Sequence, residues 1–512
     1  IEEYAEFLEE KMNREEEEDE ILDISALDDF RESMQEQEAD EPAAVVPAAI
    51  TAPTANAKET GAKAEPVVTA PAEPAAKAPD STIGDQADVK RYDVVLHEIG
   101  LPGAGEVAVT REGLALLTWD DQGLCLELGG KMEQKGYKVA YLAFPWQKKD
   151  IRQNYRLEEI SEKAIEQLYA DIDAKEKAKL CGFIHLSDAV KAEKDILKVF
   201  DPNEEKKLEF VFLFAKYFEA RVSKANPHKK GRSFFYAVAR LDGKMGGGPD
   251  WSGSPIQAGF MGMLKSLDME WKTTVCKVLD VAAECTPKKA AEYALEELLA
   301  PDEGFTEIAR DAAGKRYVNT IEESGELEEA KTLPTAQDVF LVTGGGRGVT
   351  YLCALELAKK YKSKFILAGH TPDDRDLTWM KNETNPDKLR PVLLAKLKAE
   401  GKTMKPAEVD ALIRESLYQK MVRDNIEEMN KTGAKAIYMY CDVRDDASMK
   451  KAVAEGEKAF GKITGFIHGA GALADKTIDR KTQDDLHTVF ATKVLGLENC
   501  MKDRERKAVQ EL

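Results

Sequence analysis

Two short segments of this chain recur in the same order, and that recurrence limits its possible folds more than any other feature. Leu116-Leu117-Thr118-Trp119-Asp120-Asp121-Gln122-Gly123-Leu124 lies over Leu341-Val342-Thr343-Gly344-Gly345-Gly346-Arg347-Gly348-Val349, and Gly182-Phe183-Ile184-His185 returns as Gly465-Phe466-Ile467-His468. Each copy of the longer segment follows a strand-like run. Each then opens a helix-like stretch that leads to another strand, at Val139 to Phe144 and at Phe365 to Ala368. Short apolar runs alternating with helix-length amphipathic segments predict a parallel α/β arrangement, here built twice. Thr118 and Thr343 are 225 residues apart and Gly182 and Gly465 are 283 apart, so the second copy carries 58 extra residues. A charged, helix-rich stretch over about 371–433 is where they must sit.

The fold expected is therefore α/β, with two Rossmann-like doubly wound parallel sheets, the first truncated and structural, the second cofactor-binding and catalytic. We place the first half at 87–336 and the second at 337–512, with the helical insertion inside it. Ahead of them, residues 1–41 are acidic, with Glu15 to Glu18 followed by Asp19 and Glu20, and have the helical spacing of a preceding domain's tail or of linker. Residues 42–86 form an Ala/Pro-rich linker; up to residue 80 they hold no aromatic residue and no Leu, so no core can form there and a disordered tether is expected.

Charge narrows the function classes. With 73 basic against 94 acidic residues and a net charge of −21, the chain lacks the clustered cations that a phosphate backbone demands, and no nucleic-acid partner is expected. No apolar run is long enough to span a membrane and no signal peptide is visible, so a cytoplasmic location is expected. The seven cysteines (Cys125, Cys181, Cys276, Cys285, Cys353, Cys441, Cys500) include no CxxC pair and sit mostly among apolar residues, the pattern of buried thiols. No metal site is expected.

The two copies differ where it matters chemically. A dinucleotide pyrophosphate needs backbone N–H groups at a helix N-terminus and glycines that let the backbone approach. Thr343, Gly344, Gly345, Gly346, Arg347, Gly348 and Val349 supply this directly after the apolar strand Val339 to Val342. The first copy has Trp119, Asp120 and Asp121 instead; two carboxylates would repel a pyrophosphate and an indole would block it, so the first half should bind no cofactor. Three further features follow the glycine turn in order. Asp442, with Val443, ends a strand where a carboxylate can accept from an adenine amine, though a helix N-cap is the competing reading. Gly469, Ala470 and Gly471 follow the fourth strand and leave room for a cofactor. Lys493 sits on a helix beyond the site, where an ordinary surface lysine is the alternative.

As a set these residues resemble the short-chain dehydrogenase/reductase superfamily, and more narrowly the ketoreductases of polyketide synthases and polyunsaturated fatty acid synthases. That family joins a truncated, cofactor-free Rossmann half to a catalytic one. The run Gly344 to Thr350, the insertion and the run His468 to Lys476 look most like the ketoreductase of bacterial polyunsaturated fatty acid synthases. The resemblance covers about 91–512. It implies an NADPH-dependent β-ketoacyl reductase that converts a 3-oxoacyl thioester to a 3-hydroxyacyl group. The partners implied are acyl carrier protein domains, whose phosphopantetheine arms bear that thioester, and other synthase domains; homo-oligomerisation is left open. Gly344, Gly346 and Gly348 would hold the pyrophosphate, Asp442 the adenine and Arg347 the 2′-phosphate. Lys493 would be the catalytic lysine that lowers the pKa of a tyrosine acid. Asp475 stands near a position used in stereochemical sorting, which favours the 3R alcohol.

The chain departs from the pattern at three places. Thr350 replaces the usual third glycine, a change we expect to be tolerated. His370 stands where an arginine usually follows the second strand, which leaves Arg347 as the main support for NADPH over NADH. Residues 494–512 contain neither Ser nor Tyr, so the catalytic pair is expected beyond Leu512. Its absence keeps a second reading open, a pseudo-ketoreductase acting as a structural scaffold. A third, a free-standing dehydrogenase of a small alcohol, has no use for a cofactor-free half.

Overall fold

The computed structural model describes residues 91–502 apart from 108, 177–178, 191–200, 226–230, 249–252, 303 and 326–331. The expected acidic tail and Ala/Pro-rich linker lie outside the described residues.

The first half runs through β1 (Tyr92–Ile99), β2 (Leu114–Thr118), α1 (Leu124–Gln134), β3 (Lys138–Ala143), β4 (Tyr155–Arg156), α2 (Glu162–Lys175), β5 (Leu180–Leu186), α3 (Pro202–Ala225) and β6 (Ser233–Ala239). It continues with α4 (Gly259–Glu270), β7 (Thr274–Val281), α5 (Pro287–Leu299), β8 (Glu307–Arg310) and β9 (Arg316–Glu323). These strands form one nine-stranded sheet in the order β1-β9-β8-β7-β6-β5-β2-β3-β4. From β4 to β8 the neighbours are parallel; β9 pairs antiparallel to β8, and β1 to β9, extending one edge beyond the parallel sheet expected.

The second half comprises β10 (Val339–Thr343), α6 (Gly348–Tyr361), β11 (Lys364–Gly369), α7 (Pro386–Ala399), α8 (Pro406–Lys431), β12 (Lys435–Tyr440), α9 (Asp446–Phe460) and β13 (Gly465–His468). After β13 come α10 (Gln483–Phe490), a π-helical turn at Ala491–Leu495 and α11 (Gly496–Lys502). Its four strands are all parallel, in the order β12-β11-β10-β13. The insertion is α7 and α8, two helices packed together between β11 and β12.

Side chains alternate across each sheet with the period of two that a strand imposes. Leu114 and Leu116 of β2 join a core with α2, α3 and α4 (Ile165, Phe210, Phe214, Phe260). Ala115 and Leu117 join the opposite core with α1 and α5 (Leu124, Leu128, Ala291, Leu298). In β10, Val339 and Leu341 pack toward α9 (Met449, Ala452), while Val342 faces α6 and α8 (Tyr351, Ala354, Met429). Both sheets are thus covered on both faces, as parallel sheets require. The halves meet at α10: Ile478, just before it, is buried in the aromatic core of the first half, and Leu486 and Phe490 pack against the same core.

The internal repeat holds in register. Ala115 stands opposite Gly182 in β2–β5 as Phe340 stands opposite Gly465 in β10–β13. The Trp119 N–H donates to the Leu142 carbonyl, and the Gly344 N–H donates to the equivalent Ala368 carbonyl, at 2.8 and 2.7 Å. A threonine–histidine pair closes both copies, Thr118 Oγ1 to His185 Nδ1 at 3.1 Å and Thr343 Oγ1 to His468 Nδ1 at 2.8 Å.

Candidate active site

Everything at the site depends on how the chain leaves β10. Gly344 has φ +70°, and a Cβ there would lie 2.8 Å from the Ala470 nitrogen and the Gly469 carbonyl carbon, so glycine is required both for the backbone angle and for the contact with the strand-end loop. At Gly346 a Cβ would meet the Tyr438 ring at 2.9 Å and Val422 at 3.2 Å. The chain then enters α6 with Gly348 at φ +67° and open space beside it. No side chain caps this helix: Arg347, the N-cap residue, makes no capping bond. By contrast α2, α5, α7, α9 and α10 are capped by Ser161, Thr286, Asn385, Asp445 and Thr482. The first amides of α6 are therefore free to face an anion.

The equivalent turn of the first half is closed by its own side chain. Asp120, which corresponds to Gly345, is 1% exposed. Its carboxylate accepts from the N–H groups of Gln122, Leu124 and Cys125 at 3.0, 2.9 and 2.6 Å, which are the amides that a pyrophosphate would need. This corrects the expected mechanism of exclusion. Trp119 does not block an approach: it is buried, edge-on to Tyr141 at 6.3 Å, among the side chains on the α1 face. Asp121 is exposed, with its N–H donating to Asp188 Oδ1 at 2.7 Å. Behind the plug lies a buried charge network, in which the Lys207 ammonium donates to Asp188 at 2.9 Å and Glu204 at 2.7 Å.

In the second half a cleft of about 410 Å³ opens at the carboxyl ends of the strands. Of the residues singled out from sequence, Gly344, Gly346, Arg347, Gly348, His370, Asp442, Val443, Gly469, Ala470 and Gly471 line it. Thr343 and Gly345 are buried beneath the turn, where Thr343 ties β10 to His468 and Gly345 abuts Val342. Val349 is 76% exposed on the outer side of α6 and does not face the cleft. Thr350 lines the wall, and its side chain occupies the space that a Cβ on Gly469 would need, within 2.3 Å. The glycine missing from the turn is matched by a glycine in the facing loop.

Asp442 has a partner that sequence reading overlooked. Arg444 closes back on it, with Nε 3.0 Å from Oδ1 and Nη2 2.8 Å from Oδ2, and the Arg444 N–H also donates to Oδ1. This guanidinium holds the carboxyl below the usual carboxylate range, so Asp442 stays an acceptor at neutral pH. The helix N-cap is its neighbour Asp445.

Lys493 sits beside the cleft in the π-helical turn, a geometry found mostly as single turns and frequently at functional sites. Its ammonium lies 3.4 Å from the His468 carbonyl, and its own carbonyl accepts from His468 Nε2 at 3.0 Å. A carbonyl only accepts, so His468 carries its proton on Nε2 and takes the Thr343 hydroxyl on Nδ1. Burial lowers the His468 pKa and keeps the ring neutral.

Sequence reading also missed Gly369, Thr371, Tyr438, Cys441, Thr488, Thr492 and, from the insertion, Val422, all of which line the cleft. Tyr438 receives the Thr371 N–H at 3.1 Å and donates to the Thr371 carbonyl at 3.0 Å; burial pushes its pKa up to about 12. The Asp-x-Arg spacing was the one local signal that could have found Arg444, and nothing local marked Val422 or Tyr438. Among the described residues no group of three or more His, Cys, Asp or Glu is placed to hold a metal ion, and no helix is long and apolar enough to cross a membrane.

Residues 339–509 match the KR domain family. The chain is homologous to a polyunsaturated fatty acid synthase polypeptide of Thraustochytrium sp. (strain ATCC 26185 / S-3), with 29% identity over 320 residues, 58% of this chain and 11% of that protein. It is also homologous to the polyketide synthase PksM of Bacillus subtilis (strain 168), with 28% identity over 182 residues, 36% of this chain and 3% of that one. The chain thus spans a small fraction of these relatives. Among solved structures, an N-terminal ketoreductase from a macrolactin assembly line aligns with a TM-score of 0.56 at 17% identity, over 80% of this chain and 71% of that one. The adenylation, ketoreductase and pseudo Asub structure of a keto acid-selecting NRPS module aligns with a TM-score of 0.58 at 15% identity, over 81% of this chain and 31% of that one. At these identities the structures show a shared α/β fold.

Proposed function

We propose that the second half binds NADPH in the cleft and reduces a 3-oxoacyl group to the 3-hydroxyacyl product. The group would arrive as a thioester on an acyl carrier protein, within a multidomain polyunsaturated fatty acid or polyketide synthase. One observation carries the reading: equivalent turns end in an uncapped helix at Gly348 and in a helix already occupied by Asp120. The first is suited to a pyrophosphate and the second is closed to it.

NADPH, when bound, supplies the hydride. The amides of α6 and the close backbone approach at Gly344, Gly346 and Gly348 would hold the pyrophosphate. Arg347, which has no carboxylate partner among the described residues, would meet the 2′-phosphate beside His370. Asp442, kept ionised by Arg444, would accept from the adenine amine. Lys493 is anchored through the His468–Thr343 relay and would favour the ionised form of a tyrosine acid, easing proton donation to the carbonyl oxygen. That tyrosine and its serine partner are not in residues 494–512.

The test is fluorescence titration of the chain with NADPH, followed by NADPH oxidation with a 3-oxoacyl thioester in a polypeptide extended past Leu512, beside its Lys493→Ala variant. Binding, and turnover that falls by about 10²-fold or more in the variant, is the expected result. Failure of the folded chain to bind either nicotinamide cofactor would favour the scaffold reading.

A further inference from the structure

We infer that the insertion is a working wall of the cofactor cleft, and that Tyr418 on α8 is a positioning residue that holds Arg347 ready for a 2′-phosphate. The inference rests on the NADPH reading above and assigns a role to residues that reading does not use.

Tyr418, Val422 and Asn425 are spaced i, i+4, i+7 and so share one face of α8. All three meet the glycine turn. The Arg347 guanidinium lies over the Tyr418 ring, 4.1 Å from its centroid. Val422 lines the cleft and packs within 3.2 Å of the position of a Cβ on Gly346. Asn425, 4% exposed, donates from Nδ2 to the Gly346 carbonyl at 3.0 Å, and its backbone carbonyl lies 3.2 Å from the Tyr351 hydroxyl of α6, which donates to Glu428 Oε2 at 2.8 Å. The turn is therefore clamped from outside its own βαβ unit.

The insertion also adjusts charge. Sites for a free ribose hydroxyl place a carboxylate at the end of the second strand. Here β11 ends in Gly369 and His370 follows. The first carboxylate after it, Asp373, is ion-paired with Arg423 of α8 at 2.5 Å, and Arg423 also donates to the Arg375 carbonyl at 3.1 Å. One helix thus stacks the cation offered to a phosphate and pairs with the first carboxylate after β11. A guanidinium held over an aromatic ring still has N–H groups to offer an oxyanion, whereas an arginine without such a contact must be ordered on binding.

The experiment measures NADPH and NADH dissociation constants by nicotinamide fluorescence in the full chain and in Tyr418→Phe, Tyr418→Leu, Arg347→Ala and the Arg347→Ala/Tyr418→Leu pair. Circular dichroism checks the fold, and Tyr418→Met, without a ring but with an unbranched side chain that adapts to irregular gaps, serves if the leucine variant unfolds. The expected result is that Tyr418→Phe matches the parent, while Tyr418→Leu weakens NADPH by about two- to fivefold and leaves NADH unchanged. In the Arg347→Ala background the second substitution should add nothing. Unchanged NADPH affinity in the ringless variants, or equal weakening of both cofactors, would overturn the role of Tyr418 while leaving the NADPH reading in place. A parent chain that binds neither cofactor would overturn both.

Discussion

Replacing Asp120 with alanine tests the closed turn of the first half most directly. The variant leaves three backbone N–H groups without their carboxylate. The Gln122 amide lies at the exposed side of the turn and water can replace the lost bond. Leu124 and Cys125 are 0% exposed, so their amides lose partners at 2.9 and 2.6 Å with little access to solvent. Leaving a buried donor unsatisfied costs about 1–3 kcal/mol, and losing a helix cap costs about 0.5–2 kcal/mol for the same bonds. With some water entering the vacated space, a loss of about 3 kcal/mol is expected, which lowers Tm by about 6–12 °C for a unit of this size. Asp120→Asn keeps one acceptor oxygen and should lose about half as much. Thermal unfolding followed by circular dichroism reads both. A loss under about 1 kcal/mol for Asp120→Ala, or an Asn variant no better than the Ala variant, would refute the view that this carboxylate completes α1.

Two further outcomes follow from named contacts. Gly469→Ala should destabilise the second half by about 1–3 kcal/mol, because its Cβ would fall within 2.3 Å of the Thr350 side chain; pairing it with Thr350→Gly should restore much of the loss in urea unfolding, and a purely additive pair would refute the complementarity. Asp280 is buried and accepts from the Leu241 and Met245 N–H groups at 2.8 and 2.9 Å, yet burial raises its pKa to about 7. The folded state therefore holds this proton up to about pH 7 while the unfolded chain releases it near 4, so Asp280 makes stability fall as pH rises across that window and adds no slope above it. Asp280→Asn should remove that slope in urea midpoints measured across the window; a variant with the parent's pH dependence would exclude Asp280 as its source.

Much of this was open to sequence reading because it is carried by nearest neighbours along the chain. The doubled architecture showed in the matched segments around Thr118 and Thr343, since a strand, a tight turn and a helix are encoded within a few tens of residues. The glycine turn was visible for the same reason: a positive φ at Gly344 and Gly348 leaves a compositional mark. The direction of a side chain within a turn leaves none. Trp119 and Asp120 were both assigned to the mouth of the first turn, and the sheet core took the indole while the helix amides took the carboxylate. The outward placing of Val349 was hidden likewise, because it depends on where α6 points relative to the loop after β13.

What the sequence by itself determined is the repeated unit, the point at which the copies differ, with a glycine turn in one and Trp119-Asp120-Asp121 in the other, and the place of the insertion. Only the tertiary structure decided what the insertion touches. Tyr418, Val422 and Asn425 are about 70–80 residues from the turn they touch, and nothing in the spacing of α8 shows which face will be buried or against what. The pairings of Lys207 with Asp188 and of Arg347 with Tyr418 were settled the same way, whereas Glu204 meets Lys207 one turn away on the same helix. A buried charge takes its partner from whichever elements the packed sheet brings together, and that is a property of the assembled layers rather than of any local stretch of chain.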